Sequence, residues 1–275
     1  MKKTRNVVVI SDTHFGCKMG LCWPAGAAQD DGGPYKPSRL QKVVWRWWEE
    51  FWDDWVPKAT KGEPFDLVHN GDVIDGVHHN STTQFSHNIK DQRNLAIAVL
   101  APRVKLAQRY FSVRGTPAHV GQSSTEEEEV AERLGAVPNE DGQHSRYELW
   151  LKVGGHLVHF LHHVGTTSSS AHESSAVNAE LAAEFVEASR WGEKAPSVIV
   201  RSHRHRAIEI RLPSRRGYVT AAVTPAWQLK TPFSWKIAGA RLAPPQLGGM
   251  VIRLDETGEI YTQQKVWHIE RDDPE

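Results

Sequence analysis

The stretch "VVVISDTHFG", residues 7–16, runs from four apolar residues directly into a polar segment that carries Asp12 and His14. A short branched run bounded by polar residues and glycine is typical of a strand covered on both faces. Side chains alternate along a strand, so Asp12 and His14 should point to one side at its carboxyl end. Ligands bind at that edge of open α/β sheets. The pair could hold a cation, or it could be a turn with an unrelated surface histidine.

Composition places the chain among ordinary globular proteins. It has 275 residues, 39% of them hydrophobic, which is enough for one sizeable core. The formal net charge of zero disfavours a long polyanion held by bulk charge. Cys17 and Cys22 match no zinc knuckle and form no disulfide framework. No apolar run suits a signal peptide or a bilayer span, so we expect a cytoplasmic protein with no membrane partner.

Helix and strand patterns alternate along the chain. Period-two segments and turn residues predict a hairpin about Gly154 and Gly155, and the Glu-rich helix at 124–135 should present a solvated face. Pro102 should kink the helix that contains it. Strands are predicted at 66–69, 110–115, 145–153, 156–163, 196–206, 207–212, 217–223, 249–255 and 259–269, and helices at 91–108, 124–135 and 178–192.

A tryptophan-rich segment at 39–56 follows Ser38, which can cap a helix. Its apolar residues recur at helical spacing and acidic residues fill the opposite face, which predicts an amphipathic helix docked on a sheet. The aromatic stripe would instead suggest a nucleic-acid or membrane contact if it were exposed. The acidic face disfavours both of these anionic partners.

Acidic and histidine residues follow at least four separate strands, and we expect them to converge at one sheet edge. Carboxylates and imidazoles without thiolates suit manganese, iron, zinc or nickel better than a structural zinc site. The set is larger than one ion needs, which suggests two ions about 3.5–4 Å apart that share a carboxylate. The candidates are Asp12, His14, Asp72, His162, His163, His203 and His205.

Five short motifs occur in an order that resembles the calcineurin-like metallophosphoesterases. They are "DTH" at 12–14, "GD" at 71–72, "RGTPAH" at 114–119, "LHH" at 161–163 and "SHRH" at 202–205. The resemblance implies an α/β fold, a four-layer αββα sandwich of two mixed β-sheets flanked by helices, with residues 1–275 as a single domain. It also implies a dinuclear centre of divalent transition-metal ions, with manganese preferred and iron, zinc or nickel as alternatives.

The resemblance assigns the ligands residue by residue. The first metal would be held by Asp12, His14 and His205, the second by His162 and His203, and Asp72 would bridge both. His163 stands where the family usually has glycine, so the choice between His162 and His163 stays open.

The segment "GTPAH" departs from the family pattern. Thr116 stands where the family has a ligating asparagine, and Pro117 stands where it has the histidine that assists the leaving group. A histidine returns as His119, which would either bind the second metal or act as the general acid. The arrangement is similar to the G-T-x-x-H variant of phage-borne members.

Other residues near these motifs are candidate metal or substrate contacts. His79 and Asn80 lie in the loop after Asp72 and are expected to be polar loop contacts rather than ligands. Arg204 lies between two ligand histidines and could meet a phosphate.

The activity that the resemblance implies is hydrolysis of phosphate esters by a hydroxide that two metal ions activate, with Asp72 and His119 as catalytic residues. A phosphodiesterase is preferred over a monoesterase, and the substrate could be a nucleotide or a nucleic acid. One alternative is a nuclease acting on DNA or RNA, although the neutral charge counts against a processive one. The other is a catalytically impaired metal-binding scaffold, which only the altered "GTPAH" supports.

Overall fold

The computed structural model describes residues 5–78, 80–121, 124–165, 169–215, 217–237 and 243–270. The strands are β1 (Asn6–Ile10), β2 (Ala27–Ala28), β3 (Pro34–Tyr35), β4 (Phe65–Asn70), β5 (Tyr110–Val113), β6 (Ser145–Arg146), β7 (Glu148–Val153), β8 (His156–Leu161), β9 (Val198–Arg201), β10 (Ile208–Ser214), β11 (Gly217–Val223), β12 (Leu247–Leu254) and β13 (Ile260–Trp267). The α-helices are α1 (Arg39–Glu50), α2 (Val56–Ala59), α3 (Ile89–Val104), α4 (Pro117–Val120), α5 (Thr125–Arg133) and α6 (Glu173–Trp191).

Two large mixed sheets form the centre of the molecule. The first has the strand order β13-β12-β1-β4-β5-β6, in which β1, β4, β5 and β6 run parallel. The second has the order β10-β11-β9-β8-β7, in which β8, β9 and β11 run parallel. The parallel pairs place the carboxyl ends of β1, β4 and β5 at one edge, and those of β8 and β9 at one edge of the other sheet.

The opening strand confirms the prediction of burial on both faces. Val7 and Val9 pack in the core between the two sheets, while Val8 and Ile10 pack in the core beneath the helices of the first sheet. A third cluster joins α6 to the outer face of the second sheet through Val177 and Leu181. Helix, sheet, sheet and helix therefore form four layers, and the predicted αββα fold class is confirmed.

The tryptophan-rich segment packs on the first sheet. Ser38 caps the helix as predicted, and its side chain forms with that of Gln41 a reciprocal pair of side-chain to backbone hydrogen bonds. The predicted single helix is wrong in one detail, because Phe51–Trp55 is a π-helical turn between α1 and α2. The longer turn keeps Val56 on the buried side with Phe51, since the Val56 amide bonds the Phe51 carbonyl. None of the segment's tryptophans is exposed, so the nucleic-acid or membrane reading has no support.

Several predicted boundaries differ from the structure. α6 begins at Glu173, five residues earlier than predicted, and α3 ends at Val104 with Pro102 inside its last turn. β9 ends at Arg201, so His203 and His205 lie in a loop instead of the predicted strand. The hairpin about Gly154 and Gly155 is confirmed by the pairing of Val153 with His156. Among the described helices, none has the length and apolar character that crossing a membrane requires.

Candidate metal centre

The predicted ligands lie where strand ends of the two sheets meet. The Asp12 amide donates to the Gly71 carbonyl at 2.9 Å and the His14 amide to the Asp72 carbonyl at 3.1 Å, which joins the loops after β1 and β4. The Asn70 side chain donates to the Leu161 carbonyl at 3.0 Å and so joins the first sheet to the second. These bonds fix the segments at the carboxyl ends of β1, β4 and β8 against one another.

Most of these ligand candidates have left-handed backbone conformations. Eight described non-glycine residues have positive φ, and five of them are predicted ligands. A left-handed L-residue costs roughly 1–2 kcal/mol, and such strain concentrates at functional sites. A left-handed residue changes the direction in which its side chain leaves the backbone, so these residues need not follow the alternation of a strand. The φ values are 51° for Asp12, 43° for His14, 56° for Asp72, 67° for His203 and 54° for His205.

The first ligand group consists of Asp12, His14 and His205. His205 Nε2 lies 3.2 Å from Asp12 Oδ1, and His14 Nε2 lies 4.0 Å from the same oxygen. His14 Nε2 is buried and has no hydrogen-bond partner in the described chain. Leaving such an atom unpaired costs about 1–3 kcal/mol. A cation would satisfy this atom, so these residues fit a metal ion.

The second ligand group consists of Asp72, His162 and His203. Asp72 Oδ2 lies 3.0 Å from His162 Nε2 and 3.9 Å from His203 Nδ1. The same oxygen is 3.9 Å from His14 Nε2, so one carboxylate faces both groups. His162 Nδ1 donates to the Asn70 carbonyl at 2.7 Å, which directs Nε2 toward the centre, as in metal-binding histidines.

Thr116 lies inside the second group rather than beside it. Its hydroxyl oxygen is 3.0 Å from His203 Nδ1 and 3.4 Å from His162 Nε2, and it donates to Asp72 Oδ2 at 3.2 Å. His163 is exposed, and its Nε2 lies 3.5 Å from the Thr116 hydroxyl oxygen. The structure therefore separates a buried His162 in the group from an exposed His163 at its rim.

His119 lies beside His14 of the first group and also faces Asp72, the carboxylate that both groups share. Its ring is 4.6 Å from the His14 ring, and it has a nitrogen within 4.8 Å of ligand atoms of His14 and Asp72. Its Nδ1 donates to the Asp75 carbonyl at 2.8 Å. Burial lowers the pKa of His119 to about 4, so its imidazole is neutral with Nε2 unprotonated.

Asp75 is a buried acid that the sequence analysis missed. Its Oδ1 lies 3.2 Å from His14 Nδ1, and Gln84 and Gln228 donate to its two oxygens at 2.6 and 3.2 Å. Burial acts to raise the pKa of Asp75, but the hydrogen bonds from His14 and His78 outweigh it and hold the group ionised. The carboxylate thus fixes His14 with Nε2 toward the centre. Its position three residues after Asp72 was the available signal.

Glu127 overturns the solvated face that the glutamate run predicted. Its side chain is fully buried and accepts from the amides of Val73 at 3.1 Å and Gly115 at 2.6 Å. Burial raises the pKa of Glu127 to about 7. Tertiary packing against the loops after β4 and β5 explains the error. The only hint in the sequence was that Glu127 lies three residues before the buried Val130.

The remaining candidates lie around the centre. His79 lies outside the described residues. Asn80 is an exposed loop residue and lines a cavity of about 450 Å³ together with His78 and His87. Arg204 is half-buried, and its two terminal nitrogens have no hydrogen-bond partner within the described part of the chain. Burial lowers the pKa of Arg204.

The electrostatics of the centre favour cations. Burial acts to raise the pKa of Asp12, but the imidazoles of His205 and His162 outweigh it and keep this carboxyl below its ordinary range. Burial also acts to raise the pKa of Asp72, but neighbouring imidazoles, chiefly that of His162, outweigh it and keep this pKa below its ordinary range. Burial acts to lower the pKa of His162, but Asp72 and Asp12 raise it to about 10. A proton on His162 therefore offsets the carboxylates, and divalent cations would replace it.

Comparisons with known proteins show only remote similarity. No family model matches the chain, and no curated protein matches it. Among solved structures, the chain is similar to a conserved uncharacterized protein and predicted phosphoesterase from Streptococcus pneumoniae, at 10% identity over 97% of this chain and 99% of that one, with a TM-score of 0.35. It is similar to Vps29 from Chaetomium thermophilum (11% identity, 97% of each chain, TM-score 0.38) and to a metallophosphoesterase from Sphaerobacter thermophilus (12% identity, 97% of this chain and 89% of that one, TM-score 0.39). Similarity at this level says nothing of activity.

Proposed function

We propose that this chain is a calcineurin-like metallophosphoesterase that hydrolyses phosphate diesters. The observation that carries the proposal is a pair of ligand groups that share Asp72 at the meeting of two sheet edges. The buried His14 Nε2, which has no hydrogen-bond partner within the described chain, supports it, because such an atom is costly unless something binds it.

Two divalent cations fit the donor set. Asp12, His14 and His205 would hold the first, and His162 and His203 would hold the second with Thr116 as a neutral neighbour. Asp72 would serve both. Imidazole and carboxylate donors suit manganese, which we prefer, and also iron, zinc or nickel. Bound cations would supply a water of lowered pKa and positive charge for the phosphoryl oxygens.

Neighbouring groups would keep the ligands in place. The Asp75 carboxylate and the Asn70 carbonyl each hold one imidazole, those of His14 and His162, in a fixed orientation. Glu127 holds the loops after β4 and β5 together through two backbone amides. Removing such supporting contacts around a metal site typically lowers metal affinity or activity 10- to 100-fold.

His119 would act on the leaving oxygen. Its Nδ1–H is committed to the Asp75 carbonyl, so Nε2 is the nitrogen that faces the centre. To donate from Nε2 the ring must carry a second proton, which the negative charge of a bound ester favours. The Asp75 carboxylate, 3.9 Å from Nδ1, would stabilise the resulting imidazolium. General-acid catalysis of this kind contributes about 10²–10⁴-fold.

The test is turnover of bis(4-nitrophenyl) phosphate and 4-nitrophenyl phosphate by protein that has been stripped with a chelator and reloaded with Mn²⁺. We expect reloading to restore hydrolysis, with the diester preferred, and Asp12→Asn to abolish it. Plasmid DNA, RNA and cyclic nucleotides assayed in parallel would show whether the diester is nucleic acid. Protein that holds two metal equivalents and hydrolyses none of these esters would instead be a metal-binding scaffold.

A further inference from the structure

A cavity of about 470 Å³ opens on the side of the metal centre where His119 lies. Its walls are mostly apolar and come from the loop after β4, the start of α3, and α4. His78 and His119 supply the polar part of the lining, and Glu126 stands at its wall. The apolar lining residues are Val77, Ile89, Pro117 and Ala118. Cavities of this size and character hold small organic groups.

His119 connects the cavity to the ligand groups. One of its ring nitrogens lies within 4.8 Å of ligand atoms of His14 and Asp72, yet the same side chain lines the cavity. Its ring contacts the His14 ring at 4.6 Å and the His78 ring at 4.4 Å. A group bonded to a phosphorus at the centre, on the side of His119, would therefore extend into the cavity.

Glu126 supplies the one carboxylate among the described residues that line the cavity. Glu126 Oε2 lies 2.7 Å from Arg93 Nη1, and Glu129 Oε2 lies 2.5 Å from the same nitrogen. Glu129 Oε1 also lies 3.8 Å from Arg133 Nη1, so the two carboxylates are paired with two guanidinium groups. No lysine or arginine is among the described residues that line the cavity. A lining with one carboxylate and no lysine or arginine offers a second anionic group no cationic partner, whereas a neutral group needs none.

We infer that this cavity binds the leaving alcohol of the ester and selects alcohols that are neutral, partly apolar and of aryl or nucleoside size. The inference rests on the proposed function and names the substrate class of the same site. In the reaction the bond from phosphorus to the leaving oxygen breaks and a bond from phosphorus to a water oxygen forms. His119 gives the leaving oxygen its proton and regains one from solvent, which receives the proton that the water loses.

Two diesters with the same methyl group test the charge selection. The leaving group is 4-nitrophenol in one and 3-carboxy-4-nitrophenol in the other, so the second carries an added negative charge. We expect kcat/KM to favour the neutral leaving group about tenfold, and Glu126→Gln to reduce that preference about fivefold. Glu129→Gln is the matched control, because Glu129 shares Arg93 but does not line the cavity. An unchanged preference in Glu126→Gln, or an equal change in both variants, would overturn the inference.

The size selection is tested by filling the cavity from an exposed position. Val77 is 51% exposed and lines the cavity, so Val77→Trp should fill it without unfolding the protein. We expect kcat/KM to fall about tenfold for the 4-nitrophenyl diester and to stay within twofold for methyl trifluoroethyl phosphate, followed by fluorine NMR. Equal effects on both esters would count against the cavity. If the wild-type protein with bound metal hydrolyses neither ester, the result contradicts the proposed function itself and not the selectivity of the cavity.

Discussion

Asp72 is the residue on which the proposed site depends most. Its Oδ2 faces the ligand nitrogens of His14, His162 and His203, and its Oδ1 accepts from the Thr116 amide at 2.6 Å. Asp72→Asn should therefore lower turnover at least about a thousandfold, more than any single histidine change, since it weakens both cation sites. Steady-state kinetics and metal analysis check this, with the exposed Asp141→Asn as a control of equal charge change. Near-normal turnover in Asp72→Asn would refute the shared-carboxylate assignment.

His119→Ala separates the two roles that the sequence left open. If His119 protonates the leaving oxygen, kcat/KM of the variant should fall about 10²–10⁴-fold for a diester of a nucleoside alcohol. For a nitrophenyl diester it should fall little, because nitrophenolate leaves without being protonated. Metal content should stay unchanged. The exposed His268→Ala serves as the control. Loss of metal with an equal fall on both substrates would make His119 a ligand instead.

Thr116 should act as a weak neutral ligand of the second group. Thr116→Val keeps the shape but removes the hydroxyl that contacts Asp72 and His203, so the weaker of two Mn²⁺ dissociation constants should rise about tenfold. Thr116→Asn supplies an amide oxygen and should lower the same dissociation constant. Calorimetric titration of the stripped protein with Mn²⁺ measures both. If the wild type, Thr116→Val and Thr116→Asn bind Mn²⁺ with the same dissociation constants, Thr116 is not a ligand.

At the scale of elements, the loops after the strands approach too closely to admit extra atoms. A Cβ on Gly115 would lie 2.2 Å from both the amide nitrogen and Oδ1 of Asp72, whereas one on Gly155 would meet nothing within 4 Å. Gly115→Ala should thus lower the free energy of unfolding by about 1–3 kcal/mol and displace the carboxylate. Gly155→Ala should stay within about 1 kcal/mol. Chemical denaturation and Mn²⁺ titration of both variants give the comparison, and a Gly115→Ala protein that binds Mn²⁺ normally would contradict it.

For the whole molecule, stability and metal binding should both depend on pH through His162. Its pKa rises from 6.5 to about 10 on folding, so its contribution is fully present below about pH 6.5 and is lost as the pH rises through about 10. Asp12 and Asp72 have lowered pKa values, so their contribution is present above about pH 4 and is lost at lower pH.

Mn²⁺ must displace the His162 proton, so binding should release about one proton near pH 8. The gain in Tm from Mn²⁺ should grow by about 5 °C from about pH 6 to about pH 9, because protons compete less and the metal-free protein is less stable. Thermal unfolding with and without chelator measures the gain, and calorimetry in buffers of different ionisation enthalpy measures the proton. A gain that does not vary with pH would contradict this prediction.

We also propose that residues 1–275 form one domain, since one core lies between both sheets, and a single cooperative transition would agree with this.

The sequence by itself determined the buried first strand, the capped tryptophan-rich helix, the layered α/β fold and the residue types that gather at the strand ends. The strand and the capped helix follow from local periodicity and capping chemistry, which can be read without knowing distant contacts. The layered fold was implied by the family resemblance that the ordered motifs carry. The structure alone decided that His162 rather than His163 turns inward, that His119 lies beside His14, and that Asp75 and Glu127 are buried. The reason is physical: whether each of these side chains is buried depends on packing against segments remote in sequence, and local periodicity does not encode that packing.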